Sequence, residues 1–182
     1  MGDAFECQAP VLEADGLTLR ALSVEDAPAV FAYASDPEVA RYTLWPPHVS
    51  EDATREFLRM LTAPWILGWA IVPRVESSAA GMVFLHSLSR QHRKAELAFN
   101  IARSHWNRGL ATAASRLVLR HSFAELGLNR VEATCMPANA ASARVLGKLG
   151  MSREGGMRRS HMRHDGFHDM DLFAVLRDEF RA

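Results

Sequence analysis

The sequence predicts a single α/β (α+β) domain, in which a mixed, mostly antiparallel sheet of about seven strands is flanked by about four helices. Three features of the 182-residue chain lead to this fold. Apolar or alternating runs at 66–73, 80–88 and 94–102 indicate consecutive strands joined by turn-rich segments. A long helical pattern then ends at Gly127, and a strand pattern follows at 129–136. Because a strand–helix–strand connection joins parallel neighbours, we expect the sheet to be mixed.

The remaining elements have local signals of their own. Ser23 and Asp26 form a capping-box-like start to a helix, and Ser50 is a cap for another. The predicted elements outside the central region are strands at 16–22, 151–159 and 168–177, and helices at 23–35, 50–61 and 139–149. We assign residues 1–15 to an N-terminal leader and residues 16–182 to the domain.

Composition narrows the function classes. Lys plus Arg equals Asp plus Glu at 21 each, and no apolar run reaches membrane-spanning length. We therefore expect no nucleic-acid partner and no membrane partner. Cys7 and Cys135 form no disulfide framework, which is typical of a reducing compartment, and we expect a cytoplasmic protein without a signal peptide.

The long helix begins in an unusual way. Trp106, Asn107, Arg108 and Gly109 stand where a Ser, Thr or Asp cap would be expected. A helix start of this kind leaves its first backbone N–H groups free to bind an anion from outside. A simpler interpretation remains open, in which Gly109 only breaks the preceding loop and Arg108 is solvated.

This region resembles the GNAT N-acetyltransferase superfamily, specifically its RimJ/RimL-like branch, over roughly residues 16–178. The diphosphate-binding motif of the family falls on residues 106–111, with Trp106 at a position where Gln or Arg is usual and where the branch often has an aromatic residue. The segment "RVEATCMPANAASARVLGKLGM" follows at the expected distance. The resemblance implies acetyl-CoA as co-substrate and no metal. The cofactor-binding residues that it implies are Phe99, Ile101, Arg103, Arg108, Gly109, Leu110, Ala111, Thr112, Asn139, Ser142 and Arg144.

Glu96 is the first candidate for a catalytic base. It is a carboxylate within an otherwise apolar strand, which is costly unless the group is exposed or used. By the resemblance, a glutamate on this strand takes the proton of the amine. The alternative is a cross-strand ion pair with Arg or Lys. If the hairpin at "SLSRQHR" turns about Gln91, His86 lies opposite Glu96, and the two form a possible proton relay.

The resemblance also assigns the other catalytic groups. It places the oxyanion donor on a backbone N–H near Phe99, Asn100 and Ile101, where a bulge splays the strand from its neighbour. Many family members protonate the thiolate with a tyrosine after the Asn position, but this chain has Leu146 there. The branch has a serine three residues after the Asn, so Ser142 is the second catalytic candidate, while Asn139 caps its helix and reaches the cofactor.

A His- and Asp-rich segment invites a metal-site interpretation. It runs from His161 to Asp171, but Gly166 marks a turn within it, so its side chains alternate across a hairpin. We expect a polar hairpin and no metal. Cys135 is expected to be a buried structural thiol.

The amine that would accept the acetyl group is left open between several classes. The resemblance implies the α-amine of a protein or peptide N-terminus, and the alternative is a small amine such as an antibiotic, toxin or polyamine. Trp45, Pro46 and Pro47 offer a rigid apolar wall, and the arginines at 158, 159 and 163 favour an acidic acceptor over a polyamine. A coenzyme-A-binding sensor without turnover is a further alternative, and a homodimer is possible.

Overall fold

One eight-stranded sheet organises the computed structural model, which describes residues 8–14 and 16–181. The strands are β1 (Leu12–Ala14), β2 (Leu17–Ala21), β3 (Leu67–Pro73), β4 (Gly81–Ser89), β5 (Lys94–Ile101), β6 (Arg130–Cys135), β7 (Ser152–Arg163) and β8 (Gly166–Leu176). Their order in the sheet is β1-β2-β3-β4-β5-β6-β8-β7. The pairing of β5 with β6 is parallel, and the other pairings are antiparallel. The predicted fold class is therefore confirmed.

Five α-helices flank this sheet within the described residues. They are α1 (Ala27–Ala34), α2 (Pro37–Ala40), α3 (Glu51–Leu61), α4 (Leu110–Ala124) and α5 (Ala140–Lys148). The predicted caps are present at three of the starts. Ser23 and Asp26 form the capping box before α1, and Ser50 accepts a hydrogen bond from Ala53. Asn139 accepts one from the backbone of Ser142 at the start of α5.

Three details differ from the sequence expectations. Residues 12–14, assigned to the leader, form the edge strand β1. The connection between α1 and α3 contains the short helix α2, because Asp36 caps it and Pro37 is preorganised for its first turn. The last two strands are longer than predicted and turn tightly at Gly166. Cys7 lies outside the described residues.

The sheet carries an apolar core on each face. Leu67, Trp69 and Ile71 of β3 belong to a cluster with Val118 and Leu119 of α4, and all five are fully or almost fully buried. Successive side chains of a strand point to opposite faces, so Ala70 belongs instead to the cluster with α1 and α3. No helix of residues 8–14 and 16–181 is both long and apolar enough to cross a membrane.

The parallel strands β5 and β6 separate partway along their length. They pair at Lys94–Arg130, Ala95–Val131 and Glu96–Glu132, and the described strands show no pair beyond these. The pairing of β5 with β4 continues without a register shift from Glu96 to Ile101, so no bulge is seen on that side, whereas the predicted separation of Phe99–Ile101 from a neighbouring strand is found on the β6 side. The gap arises because β6 departs from β5, which leaves one edge of β5 open beyond Glu96.

Candidate active site

A cleft of about 690 Å³ occupies this gap and extends to both sides of it. Its walls come from β5, β6, the first turns of α4 and α5, the segment 38–45 and the hairpin β7–β8. The lining residues that bear on the chemistry are Glu38, Arg41, Tyr42, Leu44, Trp45, His86, Glu96, Phe99, Asn100, Ile101, Trp106, Gly109, Leu110, Ala111, Thr112, Thr134, Cys135, Asn139, Ser142, Arg144, Lys148 and His161. Most of the predicted site residues therefore lie around one cavity.

The N-terminus of α4 opens into the cleft without a side-chain cap. Its N-cap is Gly109, with φ of 78°, a left-handed conformation that favours glycine. A Cβ at Gly109 would meet no protein atom within 4 Å, so the space above this helix end is open. The amides of Leu110, Ala111 and Thr112 precede the first intrahelical donor, Ala113. This end of the helix can therefore bind an anionic group.

Trp106 holds the loop that precedes this helix. Its indole Nε1 donates a 2.8 Å hydrogen bond to the carbonyl oxygen of Ile101, at the end of β5. The ring lines the cleft, although 41% of the residue remains exposed. This hydrogen bond was not predicted from the sequence, in which Trp106 stands at a motif position where Gln or Arg is usual. Its structural role depends on an aromatic residue five positions after the end of a strand, which is a weak signal by itself.

Glu96 lies in the cleft beside the point where β5 and β6 separate. Its Oε1 accepts a 2.9 Å hydrogen bond from the hydroxyl of Thr134 on β6. Glu96 takes part in none of the ion pairs of the described residues. The nearby cations are engaged elsewhere, since Lys94 lies 3.2 Å and Arg130 2.8 Å from the carboxylate of Glu132. The alternative of a cross-strand ion pair at Glu96 is therefore not observed.

His86 lies opposite Glu96 in the β4–β5 register, as predicted, but the turn alone does not bring this about: Ser89 pairs with Lys94, and a register shift between His86 and Ser89 aligns His86 with Glu96. Its Nδ1 is 3.0 Å from the hydroxyl of Ser87. Burial lowers the pKa of His86, while the charge of Glu96 acts in the opposite direction and His161 lowers it further. The imidazole is therefore neutral at neutral pH, but whether it relays a proton from Glu96 stays a prediction.

Asn139 and Ser142 meet at the start of α5, where both line the cleft. The side-chain oxygen of Asn139 accepts a 3.1 Å hydrogen bond from the amide of Ser142. Leu146, which stands in place of a tyrosine, is buried. Burial and the charge of Asp171 together raise the pKa of the Cys135 thiol to about 11, although Ser142 and Arg153 act in the opposite direction. Cys135 is therefore a poor nucleophile, as expected of a structural thiol.

The predicted cations divide into two groups. Arg144 lines the cleft, and so does Lys148 on the same helix. Arg103 does not line it, since its guanidinium lies 3.6 Å from Asp36. Arg108 does not line it either. The geometry thus supports cofactor binding by Arg144 and gives no support to the predicted roles of Arg103 and Arg108.

A family sequence model described as "Acetyltransferase (GNAT) domain" matches residues 16–152. This chain belongs to the GNAT acetyltransferase family. It is an N-acetyltransferase, and hence an acyltransferase, of the family whose members use acetyl-CoA as co-substrate. The protein named "Uncharacterized N-acetyltransferase YoaA", from Bacillus subtilis (strain 168), is 30% identical over 92% of this chain and 97% of its own length.

Solved structures agree with this assignment. An acetyltransferase of the GNAT family from Bacillus anthracis has a TM-score of 0.84 at 28% identity, covering 93% of this chain and 100% of its own. Other relatives are named for different acceptors. YdaF of Bacillus subtilis (strain 168), whose name as a ribosomal N-acetyltransferase is itself provisional, is 33% identical over 59% of this chain and 58% of its own length. The spermidine N(1)-acetyltransferase of Escherichia coli (strain K12) is 22% identical over 93% of this chain and 90% of its own.

A second, cationic hollow of about 450 Å³ adjoins the acetyltransferase cleft at α4. It shares Gly109, Thr112 and Lys148 with the cleft and adds Arg116 and Arg120. Arg116 is already engaged, because it donates hydrogen bonds to the carbonyl oxygens of Lys148 and Arg181, each at 2.8 Å. Arg120, almost three turns into α4, was not among the residues predicted from the sequence.

The opposite end of the acetyltransferase cleft is lined by the segment 38–45 and by β7 and β8. Trp45 lines it and packs against His48 and Phe57, whereas Pro46 and Pro47 do not line it. Tyr42, distant in sequence from the predicted site, lies in this wall.

The arginines expected to attract an acidic acceptor do not line the cleft. Arg158 and Arg159 are exposed on β7, and the side chain of Arg163 is 8% exposed and engaged at the carbonyl oxygen of Arg41. The three arginines therefore offer no direct contact to an acceptor in the cleft, and the preference for an acidic acceptor stays a prediction.

The His- and Asp-rich segment forms a hairpin, as expected. His161 pairs with His168 across it, and His168 lies 2.8 Å from Asp165. Among the described residues, no group of three or more His, Cys, Asp or Glu side chains is arranged to hold a metal ion.

Proposed function

We propose that this protein acetylates the α-amine of a peptide or protein N-terminus, by direct attack of the amine on the thioester of acetyl-CoA. One observation carries the proposal: Glu96, held by Thr134 and not neutralised by a cation, lies in the same cleft as the uncapped start of α4. A base and an anion site in one cavity suit the two substrates of this reaction.

The anionic end suits the diphosphate of acetyl-CoA. The free amides of the first turn of α4 supply donors, and the open space above Gly109 lets a bulky group approach the backbone. Arg144 and Lys148 add positive charge nearby. Asn139 at the start of α5 completes the wall along which the pantetheine arm would lie.

Glu96 acts as the base for the amine. An amine enters as ammonium near neutral pH, and the carboxylate takes a proton from it, directly or through water, so that the nitrogen lone pair becomes available. The new C–N bond then forms as the C–S bond breaks. Attack leaves a second proton on the nitrogen, and Ser142, in the same cleft, is the side chain proposed to accept it, directly or through water, while its own hydroxyl proton passes to the departing sulfur, so that coenzyme A leaves as the thiol.

The open edge of β5 suits the developing negative charge on the thioester oxygen. Beyond Glu96 the strand has no β6 partner, and Phe99, Asn100 and Ile101 line the cleft. Backbone N–H groups fixed in a strand need no rearrangement to stabilise such a charge.

The acceptor end favours a single amine with an apolar neighbour. Glu38 lies 3.6 Å from Arg41, so Glu96 is the carboxylate that remains free to meet an ammonium group. A polyamine carries several ammonium groups and needs several carboxylates. Leu44 and Trp45 offer apolar surface suited to the first side chains of a peptide.

The test is release of thiol from acetyl-CoA with N-terminal peptides, spermidine and aminoglycosides presented in parallel. We expect release with peptides, and its loss in Glu96→Gln but not in Glu125→Gln, an exposed glutamate at the end of α4. Release with small amines alone would overturn the peptide acceptor and keep acetyl transfer. Binding of coenzyme A without release from any amine would favour a sensor module.

A further inference from the structure

The wall at the acceptor end of the cleft, formed by residues 38–45 and called the acceptor wall below, contains a stretch without regular secondary structure. Residues 41–45 follow α2, and all five line the cleft. The side-chain hydrogen bonds within this stretch reach only near neighbours in sequence. The hydroxyl of Thr43 lies within hydrogen-bonding distance of the carbonyl oxygens of Ala40 and Trp45, at 2.9 and 2.8 Å. Trp45 is anchored at one end of the segment by packing against Phe57, whereas the backbone at Arg41 needs a further partner from elsewhere to keep its shape.

Arg163 supplies that partner from the far end of β7. Its Nη1 donates a 2.9 Å hydrogen bond to the carbonyl oxygen of Arg41, across 122 residues of sequence. The same atom lies 3.4 Å from the sulfur of Met136, just after β6, and Nε lies 3.4 Å from Asp165. The guanidinium therefore joins the acceptor wall, the segment leading to Asn139 and the tip of the β7–β8 hairpin.

The burial of Arg163 indicates a built contact. Its side chain is 8% exposed, whereas Arg158 and Arg159 on the same strand are exposed. Taking a guanidinium out of water is costly, and here the hydrogen bond from Nη1 to a carbonyl oxygen and the nearby charge of Asp165 offset part of that cost, while Nε is buried without a hydrogen-bond partner among the described residues. A planar, forked head group can reach several segments at once, which an ammonium cannot do.

The position of Arg163 on β7 connects it to the cleft. His161, two residues earlier and hence on the same face of the strand, lines the acceptor end. We propose that Arg163 is a positioning residue for the acceptor amine, which sets the place of residues 41–45 through the carbonyl of Arg41. This inference rests on the proposed function for the identity of the second substrate. The described contacts of Arg163 do not involve the α4 end of the cleft.

Arg163→Met and Arg163→Lys test the inference, with the exposed Arg158→Met as the matched control on the same strand. We expect Arg163→Met to raise the KM for the acceptor about tenfold, because a hydrogen bond from a charged donor is lost. The KM for acetyl-CoA and the dissociation constant of coenzyme A should stay within about twofold of the original protein. Arg163→Lys keeps a cation of shorter reach, so its KM for the acceptor should lie between that of the original protein and that of Arg163→Met.

Hydrogen exchange supplies a readout that needs no acceptor. In Arg163→Met the amides of residues 40–47 should exchange faster, while those at the start of α4 keep their protection. Equal loss of acceptor and acetyl-CoA affinity, or unchanged exchange in residues 40–47, would overturn the inference. If no amine is turned over even by the original protein, the proposed function fails, and the exchange experiment still decides whether Arg163 holds the segment.

Discussion

The hydroxyl of Thr134 donates a 2.9 Å hydrogen bond to Oε1 of Glu96 across the gap where β6 leaves β5. Both side chains face the cleft, and the register pairs Glu96 with Glu132, two residues before Thr134. A hydrogen bond of this kind limits the rotation of the carboxylate. Thr134, which lies on β6 beyond its last pair with β5, thus also orients the candidate base.

Removing this hydroxyl should slow the chemical step more than binding. We expect Thr134→Val, which keeps the shape of the side chain, to lower kcat about tenfold, because a hydrogen bond to a charged group is lost. Glu96→Gln should lower kcat by roughly 10² to 10⁴, the range for a positioned base. Steady-state kinetics with the best acceptor would measure both.

Thr134→Ser is the control for this prediction, since it keeps the hydroxyl and should retain most of the activity. A Thr134→Val variant as active as the original protein would show that the hydrogen bond does not matter for Glu96. Loss of coenzyme A binding in Thr134→Val would point to a general disturbance of the cleft.

Local features of the sequence predicted the parts of the site that depend on near neighbours. Residue types at helix starts identified the Asn139 cap and the uncapped Gly109, and the β4–β5 hairpin indicated the pairing of His86 with Glu96, although the register shift between His86 and Ser89 that completes this pairing was not predicted. Each of these depends on residues only a few positions apart, for which turn geometry and capping rules apply directly.

Contacts between distant segments were not predictable in the same way. Thr134 meets Glu96 only because β6 joins β5 and then leaves it, and Tyr42 reaches the cleft through the packing of a segment without a regular pattern. On β7 the register shifts between Met157 and His161, and Arg159 has φ of 47°. Simple alternation along the strand therefore could not show which arginines face the cleft.

Binding of the cofactor at the start of α4 can be tested with a pair of glycines that share the same left-handed backbone conformation. Gly109 and Gly150 have φ of 78° and 80°, and a Cβ at either would meet no protein atom within 4 Å. Replacing either with Ala should cost about 1 kcal/mol of unfolding free energy, because a left-handed conformation disfavours a Cβ. Only Gly109 lines the cleft, so Gly109→Ala should also weaken coenzyme A binding.

Calorimetric titration of coenzyme A, with thermal melts of the same samples, separates the two effects. We expect the dissociation constant to rise about tenfold in Gly109→Ala and to stay unchanged in Gly150→Ala. Equal dissociation constants in the two variants would show that the diphosphate does not lie against this helix end. Because of the positive φ, a branched residue such as Val at position 109 would disturb folding as well as binding.

His86 should make the stability of the fold depend on pH. Burial lowers its pKa below the ordinary value of 6.5, although Glu96 opposes this, so the folded protein binds a proton less readily than the unfolded chain. The unfolding free energy that this group contributes is present above about pH 6.5 and is lost as the pH falls through the lowered pKa.

Urea unfolding from about pH 5 to about pH 7 would measure this contribution. We expect the unfolding free energy of His86→Gln to depend less steeply on pH than that of the original protein, while His92→Gln, on an exposed turn, should keep the original slope. An unchanged slope in His86→Gln would assign the acid sensitivity to other groups, among them His48 and His121, whose pKa values burial also lowers.

The cationic hollow beside α4 should recognise the 3′-phosphate at the adenosine end of the co-substrate. Arg120 and Lys148 lie at this hollow, next to the helix end proposed to bind the diphosphate. Acetyl-CoA and its 3′-dephospho form differ only in that group, so the ratio of their kcat/KM values reports the contact.

We expect Arg120→Met and Lys148→Met each to reduce the ratio about threefold, as for partly exposed charge pairs, and to weaken its dependence on salt. Arg74→Met, an exposed arginine after β3, should leave the ratio unchanged. If the two thioesters are used equally by the original protein, the 3′-phosphate projects into solvent, and the charge of the hollow serves another purpose.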